Sequence, residues 1–481
     1  MNFYYMFIIQ GENMENILGY YLMPHPPIII PDIGKGEEKK IEETSLACNK
    51  IGREVADIKP DTIIIITPHA TMFSDAIAIS DEEKISGDLS QFRCTNIKMD
   101  IPIDKEFNIK LGTACHVEGI PSVLVDSELL HRYNVNYELD HGSIVPLYFI
   151  NKYYNDYKLV HITYSMIGDI NLYKFGMEIK NVAEKLNRKA VIIASGDLSH
   201  KLKEEGPYSY SPYGELFDKA LLGNLEKGDV LGAFNMNKTM ISEAGQCGLN
   251  SVYILLGAME GKEIKGELLS YEGTFGVGYG VMKLSRQQQD RNYLDELTKY
   301  KEEKLKAKLD ESNTYVKLAR ENLNHYFSHG KSIEDISNLP KELLNERHGV
   351  FVSLKKFGNL RGCIGTIAPT TGSVGEEIIR NSIEAAMSDP RFPEVSEDEM
   401  DDIDISVDVL MDSEPCNKED LDPKKYGVIV SLGMIRGLLL PDLEGVNTVD
   451  EQLQIACDKA DIDFDDDYKI ERFEVVRYKE G

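Results

Sequence analysis

Short uninterrupted apolar runs recur over the first 284 positions, each bounded by Pro, Gly or charged residues. Between them lie stretches with apolar residues at three- and four-residue spacing. Runs this short and this rich in Ile and Val predict buried strands, and the intervening periodicity predicts amphipathic helices. Strands are expected at 18–23, 62–66, 76–80, 122–125, 159–163, 190–194 and 276–284. Helices are expected at about 37–57, 172–187, 213–226 and 248–260, the third carrying a stripe of Leu216, Ala220, Leu221 and Leu225. Alternation of the two predicts an α/β layered domain with a largely buried sheet.

Two stretches punctuate this pattern. Gly273-Thr-Phe-Gly-Val-Gly-Tyr-Gly280 looks like a dinucleotide loop, but it continues into Val281 and Met282 and then into charge. A phosphate-cradling loop needs a helix opening after it, so these glycines are expected to allow close backbone approach within a strand. Residues 286–312 are dominated by charge and lack Gly and Pro, which predicts a helical linker. Beyond it, residues 313–481 hold 35 Asp and Glu against 19 Lys and Arg, a shift that marks a second domain. A helix near 315–327, strands near 349–354, 403–410 and 427–431, and a helix over 374–387 give that domain an α+β reading. The expected layout is a leader over 1–16, a first domain over 17–284, a linker over 285–312 and a second domain over 313–481.

Charge and cysteine content narrow the function classes. A formal net charge of −28 on 481 residues leaves no basic surface for nucleic acid or an anionic membrane. The seven cysteines show no CxxC spacing and are odd in number, which fits a reduced cytoplasmic chain. Leader run Phe3–Ile9 has no basic residue before it and no small-residue cleavage site after it, so it is a poor signal peptide, and Met14 offers an alternative start. No apolar run approaches the roughly 20 residues that span a bilayer.

The candidate chemistry sits where strands end. The run 190–194 leads into Ser195-Gly-Asp-Leu-Ser-His200, delivering Asp197 and His200 together at a carboxyl end, where open α/β sheets place their active sites. The run 62–66 leads to Pro68-His69, and the run 18–23 to Pro24-His25-Pro26. His141, in Asp140-His-Gly-Ser143, precedes another buried element. A lone histidine at a strand end is more often a hydrogen-bonded loop residue, but four at element boundaries point to one polar pocket. In the second domain, Leu360-Arg-Gly-Cys-Ile-Gly365 reads as a tight turn. There Cys363 beside Arg361 is either an activated thiol or a small buried residue.

Several motifs together carry a family resemblance: Met23-Pro-His-Pro-Pro27, Thr67-Pro-His-Ala70, Asp140-His-Gly with Pro146 downstream, Gly196-Asp-Leu-Ser-His200 and Leu255-Leu-Gly-Ala258. The first domain on this basis resembles the class III extradiol dioxygenase B-subunit family, which includes the Memo-like proteins. From about 313 the chain resembles an AMMECR1 domain, through Leu360–Gly365, Asp389-Pro-Arg-Phe392 and Leu440-Pro441 followed by an acidic helix. The fusion is similar to the A component of the AmmeMemoRadiSam set, implying a radical SAM protein and a Memo-like protein as partners. The resemblance implies a metal, Fe(II) first and zinc or another divalent ion as the alternative, acting on a small aromatic substrate. It gives His25 and His69 to the metal, the acid and base role to His200, and substrate binding or charge stabilisation to His141. The third ligand stays open between Glu243 and Cys247, and a thiolate there would depart from the oxygenase triad.

Overall fold

The computed structural model describes residues 15–356, 359–443 and 445–480; the leader run and Met14 lie outside them. Two compact units divide after Tyr300. Among the described residues no helix is long and apolar enough to cross a membrane.

In the first unit the strands are β1 (Ile17–Met23), β2 (Thr62–Thr67), β3 (Ile77–Ser80), β4 (Lys84–Leu89), β5 (Cys94–Pro102), β6 (Ser122–Val125), β7 (Lys158–Thr163), β8 (Ala190–Ser195), β9 (Gly261–Glu272) and β10 (Tyr279–Arg291). Eight form one sheet in the order β6-β3-β7-β2-β8-β1-β10-β9, and β4 pairs with β5 apart from it. The centre, β7-β2-β8-β1, is parallel. Its strands are buried on both faces, which is why they read as continuous apolar runs. Successive side chains point to opposite faces of a strand, so each run feeds two cores at once. Ile64, Ile66, Ile192 and Ala194 pack with the helices Asp169–Leu186 and Leu249–Gly257. Ile63, Ile65, Val191 and Ile193 pack on the other side with Glu42–Ile58 and His141–Asn151. Because β8 inserts between β1 and β2 in parallel register, Met23, Thr67 and Ser195 finish at the same edge.

Two expectations change here. The glycines of 273–278 lie in the connection between β9 and β10, with Gly276 at φ 81°, and the strand begins at Tyr279. The charged stretch opens as strand: Arg286, Asp290 and Arg291 pair with β9 before a helix over Tyr293–Glu311. Its polarity belongs to a sheet edge, where cross-strand pairs such as Lys262–Asp290 at 2.6 Å replace an apolar face.

In the second unit, β11 (Gly349–Lys356), β12 (Asn359–Gly365), β13 (Ile403–Leu410), β15 (Tyr426–Leu432), β16 (Ile435–Leu439) and β17 (Lys469–Lys479) form an antiparallel sheet in the order β12-β11-β13-β17-β15-β16, and the short β14 (Glu414–Pro415) pairs with β17. Helices Thr314–His329 and Val374–Met387 cover the core of β11 and β13, and Val449–Ala460 packs on β15 and β16. This is an α+β arrangement. Leu360–Gly365 is not a turn: it lies on β12, in register with β11. Its glycine marks close approach, because a Cβ on Gly362 would stand 2.1 Å from the Ala385 carbonyl of the covering helix. Gly362→Val should therefore cost about 2 kcal/mol or more, since overpacking forces backbone to move. A thermal melt of the full chain checks this, and a melting curve matching the parent's would refute the helix contact.

Candidate active site

At the carboxyl edge of the parallel strands, His25 follows β1, His69 follows β2, Asp197 and His200 follow β8, and His141 opens the helix His141–Asn151. Ring centroids of His25 and His69 are 4.8 Å apart, those of His69 and His141 4.5 Å and stacked, and those of His25 and His141 5.5 Å. His200 stacks on Tyr208 and stands close enough to His69 for their charges to interact. The four histidines thus form one group.

His25 is the buried anchor. Its backbone N–H donates to Asp197 Oδ1 at 2.8 Å, tying the β1 end to the β8 end. Its Nδ1 lies 2.9 Å from Ser195 Oγ, which is itself 2.5 Å from the Gly142 carbonyl. Two oxygens that close need a proton between them, so the single hydroxyl proton of Ser195 goes to Gly142. The hydroxyl then accepts from His25, fixing the Nδ1–H tautomer and leaving Nε2 with a free lone pair.

That lone pair faces two more donors. His25 Nε2 is 3.0 Å from His69 Nε2 and 3.6 Å from Cys247 Sγ, and the three atoms lie within 4.8 Å of one another. Cys247 reaches this place through a glycine pair. A Cβ on Gly196 would stand 2.1 Å from Gly248 Cα, so only glycine lets the segment after β8 close on the segment holding Cys247. Glu243, the other proposed third donor, is exposed on the helix Lys238–Ala244 and outside this group. The helix register turns its carboxylate to solvent.

Electrostatics follow from burial. Desolvation holds His25 and His69 below the ordinary imidazole range, reinforced at His25 by its neighbouring histidines and opposed at both by Asp140. Burial brings His141 and His200 each down to about 4, with His69 adding to both shifts. Desolvation raises the Cys247 thiol, helped by Asp197, and raises Asp197 to about 7 against the hydrogen bond from His25. Near pH 7 the site therefore presents neutral imidazoles, and a bound cation would reverse this bias at the thiol.

A buried polar network behind the histidines escaped the sequence reading. Asp140 accepts from Thr67 Oγ at 2.5 Å and Ser143 Oγ at 2.7 Å and lies 3.3 Å from His161 Nε2, whose Nδ1 faces Ser80 Oγ at 2.8 Å. Burial alone would raise Asp140, but His161, Thr67 and Ser143 outweigh it and hold the carboxylate well below its usual range. The network fastens Thr67, two residues before His69, to Asp140, one residue before His141. His161 sits inside a strand rather than at its end, so the boundary pattern passed over it. Its only signal was a polar residue within Leu159-Val-His-Ile-Thr163.

Comparison with known proteins identifies the two domains. A family model described as the catalytic LigB subunit of aromatic ring-opening dioxygenase matches residues 19–282, and the AMMECR1 model matches 316–480. A protein of Clostridium acetobutylicum is 55% identical over 96% of this chain and 99% of its own length. One from Thermotoga maritima is 55% identical over 34% of this chain and 97% of its own. Among solved structures, an uncharacterised protein from Pyrococcus horikoshii is 33% identical over 34% of this chain and 89% of its own, with a TM-score of 0.32.

His141 and His200 titrate near 4 in the fold, against about 6.5 for a free imidazole. Protons therefore bind the unfolded chain more tightly, so stability from these groups is intact above about pH 6.5 and is lost as pH falls towards 4. Metal-free protein should melt at lower temperature through that window, and His141→Gln combined with His200→Gln should flatten the profile. Parallel profiles for parent and double variant would contradict the assignment.

Proposed function

The chain belongs to the family of the catalytic LigB subunit of aromatic ring-opening dioxygenases, fused to an AMMECR1 domain, and from that premise we propose that its first domain is a metal-dependent enzyme acting on a phenolic or other aromatic small molecule. The observation that carries the reading is the 3.0 Å separation of two imidazole Nε2 atoms with a thiol sulfur 3.6 Å from one of them. Two lone pairs at that distance repel unless a proton or a cation lies between them. Bonds of roughly 2.0–2.1 Å to nitrogen and 2.3 Å to sulfur span the two shorter separations, and a turn of the thiol toward His69 closes the third pair, which lies within 4.8 Å, on the same ion. In this reading His25, His69 and Cys247 hold the ion, with Fe(II) as the metal and zinc as the alternative. A divalent ion so held would polarise a phenolic oxygen and lower its pKa.

The chain's own residues handle the proton. His200, neutral near pH 7 and braced by Tyr208, accepts the proton of a phenolic hydroxyl. His141, stacked on His69 and edge-on to Phe92, offers a second neutral imidazole to a substrate oxygen. Asp197 positions the His25 backbone and, at about 7, holds a proton part of the time. All seven cysteines are unpaired, and a sulfur donor needs to stay reduced, which fits a cytoplasmic setting.

The thiol also favours a second reading. A sulfur in place of the oxygenase carboxylate softens the donor set, and the same centre then serves without ring cleavage, alongside a radical SAM partner.

Metal content and aerobic catechol turnover of protein purified without oxygen test both readings. His25→Gln, His69→Gln and Cys247→Ser should lose the metal, whereas His200→Gln should keep it and lose turnover, and Glu243→Gln should change neither. Metal retained without turnover in the parent selects the second reading; no metal in the parent removes both. Ser195→Ala should weaken metal affinity about tenfold or more, the usual effect of removing a group that orients a ligand, with the fold intact. Unchanged affinity would contradict the tautomer argument, and competition with a chelator measures it.

A further inference from the structure

Away from the histidines, reactive and charged side chains gather on the second unit around Cys363. Its sheet curls on itself: Phe351 of β11 packs in one cluster with Ile429 of β15 and Leu438 of β16, which are not its neighbours in the sheet. Residues opposite one another in an antiparallel pair share a face, so Cys363 stands with Ser353, and Asp408 stands with Phe351 and Arg477. All of them lie on the face turned away from the helices Thr314–His329 and Val374–Met387, and the curl makes that face concave.

The half-buried thiol accepts from Ser353 Oγ at 3.1 Å. Its own backbone is clamped on both sides, the N–H donating to Asp389 Oδ2 at 2.8 Å and the carbonyl accepting from Arg391 Nη2 at 3.1 Å. Three cations from separate elements act on this thiol: Arg391 after the helix Val374–Met387, Lys459 of the helix Val449–Ala460, and Arg477 of β17. Arg391 spends Nε and Nη2 on Asp389, and Arg477 spends the same two on Asp408. Among the described residues Nη1 of each takes no hydrogen-bond partner, and Lys459 Nζ donates to the Leu438 carbonyl alone, at 3.5 Å. Asp442, which also acts on Arg477, is paired with Lys424 at 3.8 Å. Set against Asp389 and Asp408, which also act on the thiol, the three cations leave one positive charge in excess in a domain that is otherwise strongly acidic, all of them near enough to the sulfur to interact with its charge.

We propose that this concave face is a second ligand site, taking a small carboxylic acid whose carboxylate meets Arg391, Arg477 and Lys459 while its body lies against the Cys363 sulfur. Guanidinium edges match the two oxygens of a carboxylate, and the spare donors are otherwise spent on water. The proposal makes no use of the histidine centre, so either can fail alone.

Iodoacetate and iodoacetamide differ in the carboxylate and alkylate by the same step, the sulfur displacing iodide and its proton passing to solvent. The full chain carries its own control, because Cys416 is also half-buried but is faced by Glu414, Asp420 and Glu471 as well as Arg472. Rates at both cysteines are read by mass spectrometry of their peptides. The ratio of iodoacetate to iodoacetamide rates should be roughly three- to fivefold higher at Cys363 than at Cys416, the effect a partly exposed ion pair carries. Millimolar acetate should reduce that excess, and Lys459→Gln should lower it without changing the melting temperature. Equal ratios, no alkylation of Cys363 where Cys416 reacts, or an excess indifferent to both acetate and Lys459→Gln would each overturn the proposal.

Discussion

Two imidazole nitrogens held 3.0 Å apart are the constraint on which the first domain turns. The two are held unequally: His25 is buried and fixed through its backbone by Asp197 and through its ring by Ser195, whereas His69 is exposed, with its backbone N–H on Thr67 and its ring stacked on His141. Without an ion the pair shares a proton in an N–H···N hydrogen bond, a cation can take that proton's place, and the strength that holds the strand ends around it comes from the packing below. The isoleucine-rich parallel strands supply that strength, burying apolar side chains on both faces immediately below the site. Preorganisation here rests on a scaffold whose stability lies elsewhere.

The same division between support and chemistry runs through the second domain. Its helices cover one face of the antiparallel sheet, and the other carries a small apolar cluster around Phe351, Ile429 and Phe473 beside polar side chains. Arg320, fully buried, closes the domain from below by pairing with Glu480 and donating to the Met400 and Ile403 carbonyls. Every N–H of that guanidinium group with a polar neighbour is used, which is the condition for burying a charge at tolerable cost. Arg391 and Arg477 on the concave face differ: each keeps one nitrogen unspent. A buried structural arginine and a half-satisfied surface one are thus distinguishable by what their donors do.

Much of the fold was legible in the sequence. Short Ile- and Val-rich runs read as strands because burial on both faces leaves no polar position, and the strand-end histidines stood out because each follows such a run within a few residues, His25 and His69 directly beside Pro. Harder to read were features set by distant contacts. The β4–β5 hairpin mixes polar and apolar residues without a clean period, so Lys84–Leu89 and Cys94–Pro102 are absent from the expected strands. Cys363 lies on a strand rather than in a turn because Gly362 makes room for a helix that sequence spacing cannot place. Cys247 and Glu243 were equally plausible donors along the chain. What separates them is the contact of Gly196 with Gly248, between residues 52 positions apart, which turns one toward His25 while the other stays on an exposed helix face.

The central claim is that a sulfur and two imidazole nitrogens share one ion. X-ray absorption at the edge of the metal bound to the intact chain reads the donor set directly. The account predicts one sulfur scatterer at about 2.3 Å together with nitrogen at roughly 2.0–2.1 Å, and loss of the sulfur shell in Cys247→Ser wherever metal can be forced back. A first shell of nitrogen and oxygen alone in the parent protein would contradict it.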